Sequence, residues 1–176
     1  MKLFIHIPKT GGTSILNKID QTMWKKVVHA GHDPLFILER NNNLENCFSF
    51  CVVRNPFRRT FSYYHHFKSV NSIDCTFLDF LKILKRKEFY KKTQMMVYPQ
   101  SFYTYNTNGI IGVSKIYRYE NFKELEDDLD IKCSILNKGN YTEQEYFTTY
   151  GKQEISIVKD LFSIDFENFQ YNLDEL

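Results

Sequence analysis

Short apolar runs alternate along the chain with longer segments whose apolar residues recur every three to four positions. Short apolar runs are typical of strands, and the longer spacing places apolar side chains on one face of a helix. The pattern predicts strands at residues 2–7, 24–29, 47–53 and 110–119, and helices at 13–19, 34–40, 57–67, 77–87, 121–129 and 153–162. This order predicts a three-layer α/β fold, with a small central parallel sheet flanked by helices and a ligand crevice at the carboxyl ends of its strands.

The run at residues 47–53 is the clearest strand signal. It is almost continuously apolar, as expected for a strand that is covered on both faces of a parallel sheet. It stops at Asn55 and Pro56, where proline cannot donate to a ladder. Ahead of it, Asp33 as N-cap and Pro34 in the first turn predict the start of a helix.

Composition limits the number of domains and the classes of partner. The chain has 176 residues, of which 43% are hydrophobic, so we expect one folded domain over residues 1–176 and no intrinsic disorder. The formal net charge is only +2, which gives no general attraction for nucleic acid or a membrane surface. No apolar run is long enough for a membrane span or a signal peptide, so we expect a cytoplasmic protein. Four cysteines lack zinc-site spacing and predict free thiols and no metal.

The first candidate site is the segment HIPKTGGTS, residues 6–14, which closes the first strand and opens a helix. Such a turn collects backbone N–H groups at one point, where an anion can bind. The candidate residues are Lys9 as the cation, Gly11 and Gly12 for close backbone approach, and Thr10, Thr13 and Ser14 as hydroxyl donors. Lys9 precedes the glycines, unlike the lysine of a Walker A sequence, so a nucleoside triphosphatase is disfavoured. A plain glycine turn capped by threonine is the structural alternative.

A second candidate site follows the third predicted strand. Arg54 ends that strand, and Ser62 lies two turns along the next helix, so both side chains could bind one phosphate. If the two strands are adjacent, this site neighbours the first one. Two anion sites favour a ligand with two anionic groups. An ordinary turn with solvated Arg58 and Arg59 is the alternative.

The pair HIPKTGGTS and VVRNPFRRTFSYY resembles the two cofactor loops of the carbohydrate sulfotransferases, the branch that includes heparan sulfate 2-O-sulfotransferase. Later segments resemble that family in order, and nearly the whole chain is covered. They are PQSFY at residues 99–103, YRYENF at 117–122, LNK at 136–138 and DFENFQY at 165–171.

The resemblance implies a P-loop-like sulfotransferase fold. It also implies sulfuryl transfer from 3′-phosphoadenosine 5′-phosphosulfate (PAPS, whose product is PAP), with no metal. Residues 9–14 would hold the 5′-phosphosulfate, and Arg54 with Ser62 the 3′-phosphate. Asn137, Lys138 and Gly139 would lie beside the nucleotide.

Transfer to a hydroxyl also needs a base that accepts a proton near neutral pH, and histidine suits this role. His29 and His32 both follow the second predicted strand, at the active edge of the sheet. We choose His32, with His29 as the alternative, because the resembled enzymes carry a Gly-His step after this strand. Capping of the next helix is a structural explanation for His32. His6, His65 and His66 are assigned to packing or solvent.

The acceptor is expected to be a carbohydrate or another small hydroxyl compound. Gln100 and Tyr103, with Tyr105, are predicted to contact its hydroxyls and ring faces, and the lysines and arginine between residues 82 and 92 could attract an acidic glycan. The chain is short for this enzyme class, so a second copy could complete the groove as a homo-oligomer. Two other classes stay open: a nucleotide kinase with an unusual phosphate loop, and a nucleotide-binding module without turnover.

Overall fold

The computed structural model describes residues 2–19, 31–86, 98–133 and 139–176. In chain order the elements are β1 (Lys2–Ile5), α1 (Gly12–Leu16), α2 (Leu35–Asn41), β2 (Phe48–Val53), α3 (Pro56–Asn71), α4 (Phe77–Lys85), α5 (Gln100–Thr104), β3 (Lys115–Arg118), a 3₁₀ turn (Tyr119–Asn121), α6 (Phe122–Leu129), α7 (Glu143–Thr149), α8 (Lys152–Leu161) and α9 (Ser163–Asn168).

The chain divides into two compact units. Unit 1 contains Met1–Arg54 and Gln100–Asn137, and unit 2 contains Asn55–Pro99 and Lys138–Leu176. The three strands therefore belong to unit 1, and unit 2 is helical where it is described. A single domain over the whole chain stays a prediction.

The sheet of unit 1 is parallel and has the order β1-β2-β3. Ile5 pairs with Cys51, and Val53 pairs with Arg118, so the carboxyl ends of the strands lie side by side. Every residue of β2 from Ser49 onward is buried, as expected for a central strand covered on both faces. The coarse prediction of an α/β protein with a small parallel sheet is confirmed.

One face of this sheet packs against α1 and α6. Its core cluster consists of Ile15, Phe50, Val52, Tyr117, Leu125 and Leu129. The helix α2 packs against α5, with Leu35, Leu38 and Tyr103 buried. Removing this apolar surface from water is the main force that holds the short elements of unit 1 together.

Unit 2 has an aromatic core centred on Phe61 of α3, which is fully buried. Its ring packs against the rings of His65, Phe77, Tyr141, Tyr146 and Tyr150. The buried hydroxyl of Tyr150 donates to the carbonyl of Phe57 at 2.7 Å, which ties the residue after α7 to α3. Helix α8 packs against both α3 and α4.

Several predicted elements differ from the observed ones. Helix α2 begins at Leu35 with Pro34 in the N-cap position, so the prediction of Asp33 as the N-cap was wrong. The last predicted strand shortens to β3, preceded by an isolated antiparallel bridge between Tyr105 and Ile111. The strand predicted at residues 24–29 lies outside the described residues.

The state of the cysteines agrees with the prediction of free thiols. All four cysteines are free, as predicted, although only Cys51 is buried; burial raises the pKa of its thiol. Across the described ranges, we find no helix with the length and apolar character needed to span a bilayer.

Candidate functional site

The first candidate site and Arg54 meet at the carboxyl end of the sheet in unit 1. The loop of residues 6–14 leaves β1, Arg54 leaves β2, and Tyr119 leaves β3. The strand register places these three exits next to one another. In open parallel sheets this edge is where ligands bind.

The Arg54 side chain contacts both neighbouring strand exits. Its Nη1 lies 3.4 Å from the carbonyl oxygen of Lys9, a long hydrogen bond. Its guanidinium carbon lies 4.3 Å from the centre of the Tyr119 ring, over the ring face. The guanidinium is thus held against the first candidate site.

Lys9 lies in an unusual backbone and electrostatic environment. Its φ is 67°, in the left-handed region that residues other than glycine rarely occupy. Burial, and after it the positive charge of Arg54, lowers the pKa of its ammonium group to about 8. Two neighbouring cations that repel each other, in a strained loop, form a candidate anion site.

The two glycines of the loop are required by packing within the protein. Gly11 has φ of 84°, and a Cβ atom there would lie 3.0 Å from the Tyr119 ring. A Cβ atom on Gly12 would lie only 2.0 Å from Cδ2 of His6. The sequence predicted close approach of a ligand at these glycines, whereas in the structure two side-chain rings occupy that space.

The hydroxyl groups of the loop have different surroundings. Thr10 is fully buried, and its Oγ1 donates to the carbonyl of Ile7 at 2.9 Å. That hydroxyl therefore stabilises the turn and does not serve as the predicted donor to an anion. Thr10 could bind an anion only through its backbone. Thr13 is exposed, and Ser14 is buried. Helix α1 has five residues, so its dipole contributes less than a full-length helix would.

His32 is anchored to the end of β1. Its Nδ1 lies 2.9 Å from the carbonyl oxygen of His6. Because a carbonyl only accepts, Nδ1 carries the proton, and in the neutral ring the lone pair is then on Nε2. The His6 and His32 rings lie 4.3 Å apart. Burial, followed by the charge of His32, lowers the pKa of His6 to about 3, so His6 is neutral near pH 7.

Gln100 and Tyr103 are both fully buried in α5. The Gln100 carboxamide bonds to the backbone of Arg54 and is not directed to solvent. Contact with an acceptor, which we predicted for both residues, would require them to leave the interior. The structure corrects this expectation and gives both side chains a structural place.

The remaining predicted site residues lie in unit 2 or outside the described residues. Ser62 lies half-buried on α3, and Gly139 lies before α7, both in unit 2. Their roles beside a nucleotide stay predictions. His29, Asn137 and Lys138 lie outside the described residues.

The arginines after β2 are engaged within unit 2. Arg58 pairs with Glu143 at 2.5 Å and lies over the Tyr146 ring. Arg59 is buried, and its Nη1 donates to the carbonyl of Tyr98 at 3.1 Å. The alternative of two solvated arginines was therefore wrong for Arg59.

The basic stretch is partly neutralised on the surface of unit 2. Lys82 lies 3.5 Å from Asp79, and Lys85 lies 3.0 Å from Asp160. Both lysines are on α4, whose other face is apolar and buried. These pairs favour a solvated helix face over an acidic-glycan site for these two lysines.

Sequence reasoning missed two contributors at the strand edge. Tyr119 supports Arg54, and Gln100 binds its backbone. A signal existed for Tyr119, since it is the last residue of a predicted strand and so belongs to the same edge as Arg54. Among the described residues, we find no group of three His, Cys, Asp or Glu side chains arranged to hold a metal ion.

No family model, curated protein or solved structure matches this chain. The resemblance to the sulfotransferases therefore depends on the quoted segments alone.

Proposed function

We propose that this protein is a sulfotransferase that moves the sulfuryl group of PAPS to a hydroxyl of a carbohydrate or other small acceptor. One observation supports this proposal above the others: Lys9 and Arg54, two half-buried cations, meet where adjacent parallel strands end. Parallel α/β sheets bind nucleotides at this edge. The resemblance of the two loops supplies the identity of the nucleotide.

The residues present fit a ligand with two anionic groups. The charge of Arg54 lowers the pKa of Lys9, so the two cations repel each other in the free protein. Phosphate groups near both cations would relieve that repulsion. We assign residues 9–14 to the 5′-phosphosulfate and Arg54 to the 3′-phosphate. The P-loop-like character of the fold is part of the same proposal.

When bound, PAPS supplies an activated sulfuryl group: a bond forms between the acceptor oxygen and sulfur, while the bond from sulfur to the phosphate oxygen breaks. His32 is the general base in this proposal. Its Nε2 takes the proton of the acceptor hydroxyl, because Nδ1 is committed to the His6 carbonyl. Lys9 stabilises the negative charge that develops on the departing phosphate oxygen.

Nucleotide binding is the first experiment. We expect PAP without Mg²⁺ to raise the melting temperature of the whole protein, and Arg54→Met and Lys9→Met each to reduce that shift. ATP with Mg²⁺ serves as the comparison. Stabilisation by ATP that depends on Mg²⁺, with none by PAP, would overturn the proposal in favour of a kinase.

Sulfuryl transfer is the second experiment, with labelled PAPS and a panel of glycans and small alcohols. We expect His32→Asn and His32→Gln to slow transfer roughly 10²- to 10⁴-fold, since neither amide can accept the proton. Asparagine can place a donor near the position of Nδ1 and thus serves as the matched variant that retains the bond to His6. Wild-type rates in both variants would exclude His32 as the base.

A third outcome separates enzyme from binding module. If PAP stabilises the protein but no acceptor in the panel receives sulfate, the transferase proposal is contradicted, and a module without turnover explains the site.

A further inference from the structure

Gln100 makes an unusual pair of contacts for a fully buried side chain. Its Oε1 accepts from the backbone N–H of Arg54 at 2.8 Å, and its Nε2 donates to the backbone carbonyl of the same residue, also at 2.8 Å. The two bonds also fix the orientation of the carboxamide. In a flipped amide, Nε2 would face the Arg54 N–H, and Oε1 would face the Arg54 carbonyl.

These two bonds lie where β2 ends. Val53 is the last residue of that strand in register with β3, so the backbone of Arg54 continues past the described ladder. The buried carboxamide takes the place of a neighbouring strand for this one residue. Loss of the carboxamide would remove both of these hydrogen bonds from the Arg54 backbone, at a cost in free energy.

The backbone position of Arg54 determines where its guanidinium lies. The guanidinium contacts the Tyr119 ring face and the Lys9 carbonyl, which belong to the exits of β3 and β1. Gln100, Tyr119 and Lys9 thus fix both ends of one arginine. A planar guanidinium that is held in one place binds a phosphate group by two parallel hydrogen bonds at little entropic cost.

We propose that Gln100 is a positioning residue that holds Arg54 in place for phosphate binding and so sets the preference of the site for a nucleotide with a second phosphate. This inference rests on the proposed function. It assigns Gln100 a role through Arg54 and removes it from the acceptor contacts.

The test compares two ligands by titration calorimetry: PAP, which carries the 3′-phosphate, and adenosine 5′-monophosphate, which lacks it. We expect Gln100→Met to weaken PAP binding about tenfold and to leave monophosphate binding within about twofold, because methionine retains the bulk but neither hydrogen bond. Thr104→Val is the matched control. Thr104 is buried in the same helix, and its hydroxyl donates within that helix to Ser101.

Gln100→Glu gives a second readout, which damage to the fold alone would not produce. A neutral carboxyl group offers one acceptor and one donor, as the carboxamide does, whereas a carboxylate faces the Arg54 carbonyl without a donor. Burial favours the neutral form. We expect the PAP affinity of Gln100→Glu, relative to wild type, to recover as the pH falls from about 8 to about 5.5. This variant decides the question if Gln100→Met does not fold.

The outcomes separate the two proposals. If wild type binds neither nucleotide, the proposed function fails, and the role of Gln100 fails with it. If wild type prefers PAP and Gln100→Met retains that preference, the positioning role is wrong while the proposed function stands. Equal loss of both ligands in Gln100→Met, or no recovery of Gln100→Glu at low pH, would also overturn the positioning role.

Discussion

At the residue scale, the close approach of the His6 ring to Gly12 determines the shape of the loop after β1. The His6 ring occupies the space where a side chain on Gly12 would begin, and the His6 carbonyl accepts the hydrogen bond of His32. His6 thus connects the glycine of the loop to the proposed base. A change at Gly12 should reach His32 through this residue.

We expect Gly12→Ala to destabilise the protein by about 1–3 kcal/mol, because its Cβ would lie 2.0 Å from Cδ2 of His6 and the ring would have to move. Urea denaturation measures this cost. In a His6→Ala background the same glycine substitution should be nearly neutral, since the ring is absent. Equal costs in both backgrounds would show that the backbone of Gly12, and not the contact with His6, is responsible.

At the element scale, the side chain of Asn55 fixes the residue at which α3 begins. Asn55 Oδ1 accepts from the N–H groups of Phe57 at 2.9 Å and Arg58 at 3.4 Å, and Pro56 occupies the first helical position. Its Nδ2 also donates to the carbonyl of Glu175 at 3.0 Å. This is the N-cap arrangement that favours asparagine.

Asn55→Ala should lower the free energy of unfolding by about 1–2 kcal/mol, because the cap and a buried donor are lost together. Asn55→Asp is the matched control: it retains the capping oxygen and should cost less than the alanine substitution. Chemical denaturation with circular dichroism measures both. An aspartate variant as unstable as the alanine variant would place the cost in the bond to Glu175 and not in the cap.

The strength of each local signal decides which elements the sequence could predict. The apolar run of β2 and the proline of α3 are local features, and both elements begin close to their predicted starts, although α3 extends beyond its predicted end. Helices α5 and α7 were not predicted. They have five and seven residues, too few for a periodic pattern, and short helices depend on tertiary packing for their stability.

At the scale of the whole molecule, some features of the candidate site could likewise be predicted from the sequence, and others could not. The positions of Lys9 and Arg54 at one edge could be predicted, because parallel strands end together. The carboxamide of Gln100 reaches Arg54 across 46 positions of sequence, and nothing in the local pattern announces such a contact. The buried Thr10 hydroxyl and the ring of His6 against Gly12 likewise depend on packing that a motif does not show.

Because the net charge of the chain is small, any attraction for an anionic nucleotide must come from charged groups at the site itself. The chain as a whole carries a formal charge of only +2, so its affinity for PAP should follow the ionisation of the site. The pKa of Lys9 is lowered to about 8, and its charge is therefore lost within an accessible pH range. Above about pH 7 the phosphate groups themselves remain fully ionised, so they do not contribute to the change.

We therefore expect the affinity for PAP to fall as the pH rises from about 7 to about 9.5, by up to about tenfold per pH unit once Lys9 loses its proton. Bound phosphate favours the charged lysine, so the fall begins near the pKa of the free protein and ends near the higher pKa of the complex. Lys9→Arg is the control, since arginine stays protonated throughout. The affinity of this variant for PAP should stay level over the same range. A parallel decline in wild type and Lys9→Arg would mean that another group, and not the ionisation of Lys9, causes the pH dependence of binding.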